Sequence, residues 1–74
     1  MTGNELRVLR ALRRGPLYEG AFGLVLAMPA KDVRRRLRLL QKHGYVTGYI
    51  ESISNAPTWE LTESGREIVE AMTP

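Results

Sequence analysis

The chain has 74 residues, with 11 basic and 8 acidic side chains and a net charge of +3 when its single histidine is neutral. That length suits one domain spanning residues 1–74 with a thin core, burying roughly 60 % of the unfolded surface. Without cysteine there can be no disulfide and no thiolate metal site, and 43 % hydrophobic with 26 % charged residues fits an ordinary globule rather than a disordered tail.

In chain order, Thr2-x-x-Glu5 fits a capping box ahead of a first helix, with Asn4 as the other candidate cap. Leu6, Val8, Leu9 and Leu12 give that helix its apolar spacing, and Gly15-Pro16 ends it. A second helix is expected from about Leu17 to Ala27, with an apolar stripe of Phe22, Val25 and Leu26. Gly20 and Gly23 weaken it intrinsically and suit a close backbone approach. Met28-Pro29 breaks the chain before a third helix, Ala30 to His43, in which Val33, Leu37 and Leu40 form a narrow core stripe. Gly44 stands where a left-handed cap belongs.

The pattern then changes. Residues 45–53 are β-branched and aromatic and read as a strand. Ser54-Asn55-Ala56-Pro57 forms a turn cluster, and Thr58 to Leu61 alternates as a return strand. Thr62 can cap a final helix, Glu63 to Met72. The expected class is α+β: three helices, a two-stranded hairpin and a C-terminal helix. No apolar run approaches the ~20 residues that span a bilayer; the longest, Leu24 to Met28, stops at Pro29. With no signal-peptide pattern at the start, the expected compartment is the cytoplasm and no membrane partner is expected.

The net charge conceals a split. Residues 1–44 carry ten bases against Glu5, Glu19 and Asp32, or +7; residues 45–74 carry Arg66 against five glutamates, or −4. The third helix concentrates it. Advancing about 100° per residue from Val33, Arg34, Arg38, Lys31, Lys42 and Arg35 fall between roughly 100° and 200°, nearly opposite the core stripe, while Arg36 flanks that stripe near 300°. A solvated helix face usually mixes signs so that charges pair at i, i+4. Crowded cations instead favour a polyanion. The B-DNA major groove admits one α-helix between walls of phosphate, and arginine can fork onto guanine O6 and N7.

The segment Val33-Arg34-Arg35-Arg36-Leu37-Arg38-Leu39-Leu40-Gln41-Lys42-His43-Gly44-Tyr45-Val46, followed by Leu61-Thr62-Glu63-Ser64-Gly65-Arg66, resembles the winged helix-turn-helix family of DNA-binding domains, as in small MarR- and PadR-type bacterial regulators. The resemblance covers almost the whole chain and implies a transcriptional regulator of bacterial or phage type, associated with the nucleoid. In this family the third helix enters the major groove, which makes Lys31, Arg34, Arg35, Arg38 and Lys42 the expected DNA contacts. Gly23 takes the small-residue position where the second and third helices meet. Two departures follow from the pattern. Ala27 stands where glycine is common, so the turn must avoid a strongly left-handed conformation or be strained. The wing tip, residues 54–58, has no Lys or Arg, leaving Ser54, Asn55 and Thr58 as weak candidates for phosphate hydrogen bonds.

Double-stranded DNA is the expected partner, and a homodimer on a two-fold site would be the economical arrangement for one recognition helix per chain. A protein-interaction module using the neutral wing and acidic last helix is the alternative. Arg7, Arg10, Arg13 and Arg14 share a face of the first helix, open either to solvent or to flanking phosphates. Tyr18 can bond a phosphate or pack, and Leu39 can meet the wing or a second subunit. Trp59, Tyr45 and Tyr49 read as hairpin packing. No Walker or Gly-x-Gly-x-x-Gly pattern and no nucleophile constellation is present, so no enzyme, cofactor, metal or small-molecule ligand is expected.

Overall fold

The computed structural model describes residues 1–50 and 56–72. Its elements are α1 (Gly3–Ala11), β1 (Leu17–Tyr18), α2 (Glu19–Leu26), α3 (Ala30–Lys42), β2 (Val46–Ile50), β3 (Pro57–Leu61) and α4 (Glu63–Met72). Thr2 caps α1: its hydroxyl accepts from the Glu5 N–H at 3.3 Å while the Glu5 carboxylate accepts from the Thr2 N–H at 3.1 Å, so the capping box is complete.

All four helices and the sheet contribute to one core. Val8, Leu9 and Leu12 meet Phe22 and Leu26 of α2, the expected stripe Val33, Leu37 and Leu40 of α3, Val46, Trp59 and Leu61 of the sheet, and Val69 of α4. Burying the α3 stripe turns the opposite side of that helix outward.

The sheet corrects one expectation. Leu17 and Tyr18 do not begin a helix but form a short third strand, antiparallel to β3 with Leu17 opposite Trp59 and Tyr18 opposite Thr58. The order is β1-β3-β2. Two residues are too short to show a period, and the partner that makes them a strand lies some forty positions away. Tyr18 then serves as the extended N-cap of α2 at φ −65° and ψ 146°.

Register divides the wing into two faces. Val46, Gly48 and Ile50 oppose Leu61, Trp59 and Pro57, and their side faces the core and α3. A Cβ on Gly48 would lie 2.9 Å from the Trp59 ring, so the glycine makes room for the indole. On the outer face Thr58 lies between Tyr18 and Tyr49, and two large rings beside a small side chain leave it only 5 % exposed. This corrects the placement of Thr58 at an open wing tip. Its hydroxyl is instead within 3.4 Å of the Ala56 carbonyl. Ser54 and Asn55 lie outside the described residues.

The two sequence segments that carry the family resemblance meet in space. At the end of α3 the Tyr45 N–H donates to the Leu40 carbonyl at 2.9 Å and the Gly44 N–H to the Gln41 carbonyl at 3.0 Å, a Schellman ending in which Gly44 takes φ 81°. Thr62 closes on this ending: its N–H donates to the Tyr45 carbonyl at 3.1 Å and its hydroxyl to the Gly44 carbonyl at 2.6 Å. The same hydroxyl accepts from the Gly65 N–H at 3.1 Å, capping α4. A Cβ at Gly65 would collide with the Tyr45 carbonyl, which accounts for the glycine in the Leu-Thr-x-x-Gly-Arg run.

Candidate nucleic-acid interface

α2, the turn at Ala27 and α3 form a helix-turn-helix corner. Ala27 adopts φ 52° and ψ 46°, so the left-handed turn is present and is occupied by a residue with a Cβ, a conformation costing about 1–2 kcal/mol outside glycine. Three contacts hold it. The Ala27 N–H donates to the Gly23 carbonyl, the Met28 N–H donates to the same carbonyl at 3.3 Å, and Arg7 reaches over from α1 to donate from Nη2 to the Leu26 carbonyl at 2.7 Å. Arg7 therefore clamps the end of α2, although the residue remains exposed on α1. Gly23 does lie against the turn, where a Cβ would stand 3.4 Å from the Met28 carbonyl.

Lys31, Arg34, Arg35, Arg38 and Lys42 are all exposed on the side of α3 turned away from the core. Among the described residues no hydrogen bond or ion pair engages the side chains of Lys31, Arg38 or Lys42. Arg35 makes an exposed i, i+3 pair with Asp32 at 3.4 Å, and such pairs contribute at most about 1 kcal/mol. Arg36 sits apart, half-buried, donating from Nη1 to the Thr2 hydroxyl at 3.3 Å. Leu39 faces the opening residues of the chain, lining a shallow recess with Met1, Thr2 and Tyr45 rather than meeting the wing.

Arg34 has a structured partner. Its Nε lies 3.2 Å from Glu19 Oε2, and the other carboxylate oxygen accepts from the Trp59 indole N–H at 3.3 Å. The Glu19 side chain is only 17 % exposed. These residues line an open groove of about 430 Å³ between α3 and the inner face of the wing, with Arg38 and Gln41 on its walls and Ile50 and Pro57 toward its wing end. Sequence reasoning assigned no role to Glu19 or Gln41. The contacts that define Glu19 join residues 15 and 40 positions apart, and no local pattern reveals them.

No family model matches the sequence, and no curated protein matches it. Solved structures do. The adhesin competence repressor AdcR of Streptococcus pyogenes superposes with a TM-score of 0.91 at 19 % identity, over 96 % of this chain and 54 % of that one. MepR of S. aureus in complex with DNA gives 0.91 at 24 % identity, over 99 % and 56 %. A cysteine-to-serine mutant of E. coli MarR complexed with operator DNA gives 0.89 at 22 % identity, over 96 % and 52 %. The likeness establishes the winged-helix fold of MarR-type regulators, and the chain spans about half the length of these structures. Among the described residues no helix is long and apolar enough to cross a membrane.

Proposed function

We propose that the chain is a sequence-specific, double-stranded DNA-binding module of a transcriptional regulator, with α3 in the major groove and no chemistry of its own. The observation that carries this reading is the cationic side of α3. Five bases stand exposed on a helix whose other side is anchored in the core, and three of them have no internal partner among the described residues. A helix of this kind fits a groove about 12 Å wide and walled by phosphate. Arg34, Arg35 and Arg38 are the candidates for base edges; Lys31 and Lys42 suit phosphates. Two of the structural neighbours are complexes with DNA, which agrees with this use of the fold.

One α3 spans only a few base pairs, so a homodimer on a two-fold site is the proposed working form. Regulation then follows from occupying a promoter or recruiting to it. Selection of preferred sites from random duplexes tests the reading. The expected result is an enriched motif, with the half-site repeated about one helical turn away if the protein binds as a dimer. Arg35→Ala and Arg38→Ala should weaken binding to the enriched duplex without unfolding the protein. Recovery of no preferred sequence would contradict specific recognition and favour a protein-interaction module.

A further inference from the structure

One feature of the groove runs against simple attraction. A track for a polyanion gains from cations, yet Glu19 sets a carboxylate beside Arg34 and Arg38. Its charge lowers the attraction for any phosphate nearby. The carboxylate is not incidental: it is largely buried, and both its oxygens accept, from α3 on one side and from β3 on the other. It ties together the start of α2, the cationic helix and the wing.

Its partner atom on Arg34 matters. The guanidinium is a rigid planar fork. With Nε turned toward Glu19, the plane of the fork is fixed from one edge. The terminal Nη pair is the edge that can present two parallel donors to a guanine or a phosphate. An arginine without this tie would share its entropy among many rotamers and meet phosphates as readily as bases. The Trp59 indole, which fills the space over Gly48, fixes the wing side of the same carboxylate.

We propose that Glu19 is a positioning residue for DNA recognition, trading attraction for aim: it orients the Arg34 fork and holds the wing at a set distance from α3. The proposal rests on the DNA-binding reading above. It predicts opposite signs on two kinds of DNA, which neither a purely structural nor a purely electrostatic role would produce.

The test measures affinity for two probes, a duplex enriched by the protein itself from a random 20-bp library and a shuffled duplex of equal composition. Glu19→Gln should bind the shuffled duplex about two- to threefold more tightly, because a repelling charge is gone. The ratio of enriched to shuffled affinity should fall about tenfold, the range of one lost bidentate base contact. In an Arg34→Ala background, Glu19→Gln should cause no further loss of that ratio, as a double-mutant cycle requires of a residue acting through its partner. The Trp59 indole N–H resonance of the DNA-free Glu19→Gln variant should shift while the core amides stay in place. Arg34→Lys keeps the charge but removes the fork and should lower the ratio by a similar factor; an unchanged ratio in this variant would overturn the proposal even if Glu19→Gln folds poorly. Equal changes on both duplexes, or a specificity loss that persists undiminished without Arg34, would overturn the role of Glu19 alone. A parent protein with no duplex preference would overturn the DNA reading and this proposal together.

Discussion

The two ends of α3 are corners of similar shape built from different materials. The chain reaches the helix through Ala27, at φ 52°, and leaves it through Gly44, at φ 81°. The exit follows local rules: glycine takes the left-handed position at no steric cost, and Thr62 and Gly65 close over it. The approach breaks those rules, with an alanine in the same region of conformational space and an arginine from α1 bound to the carbonyl just before it. A corner made of glycines is specified where it stands. A corner made of alanine depends on a clamp from elsewhere in the chain.

Substitutions at the two corners sharpen this contrast, and urea titrations followed by the single tryptophan measure all of them. Gly65→Ala should have the largest effect, a loss of about 3 kcal/mol or more, since the new Cβ meets backbone that cannot turn aside. For a domain of this size, with a total stability of roughly 4–11 kcal/mol, that can leave much of the protein unfolded at ambient temperature. Arg7→Met should cost about 1–2 kcal/mol by removing a charged hydrogen bond to the Leu26 carbonyl. Gly44→Ala should cost about 1 kcal/mol: nothing crowds a Cβ there, so only the backbone conformation opposes it. Ala27→Gly should go the other way, a gain of about 0.5–1 kcal/mol after the greater freedom of glycine in the unfolded chain is subtracted. Ala27→Gly should also recover part of the loss in Arg7→Met. If instead Ala27→Gly destabilises, the strain assigned to this turn is absent and the contrast fails.

The same contrast explains what the sequence discloses. Features written within about a turn of helix or one hairpin are legible there: the Thr2–Glu5 box, the Val33-Leu37-Leu40 stripe and the cations opposite it, the Gly44 ending, and Thr62 at the start of α4. Features made by distant partners are not. Leu17 and Tyr18 become a strand only because Trp59 and Thr58 lie beside them. Thr58 is covered only because Tyr18 and Tyr49 flank it. Arg7 belongs, by spacing, to an exposed stripe, and its tie to Leu26 reaches across 19 positions. Glu19 looks like an ordinary first-turn acid, a favourable place at a helix start, and nothing nearby announces Arg34 or Trp59. The candidate interface was thus legible in its charged residues and hidden in the residue that orients one of them.

The central claim, that the exposed side of α3 meets DNA, is tested most directly by the salt dependence of duplex binding. If all five α3 cations displace counterions, the slope of log affinity against log salt reaches about −4 to −5, and it falls in magnitude by about one in Lys31→Ala or Lys42→Ala, the two residues assigned to phosphates. No duplex affinity at low salt, or a slope unchanged when the α3 cations are replaced together, would contradict it.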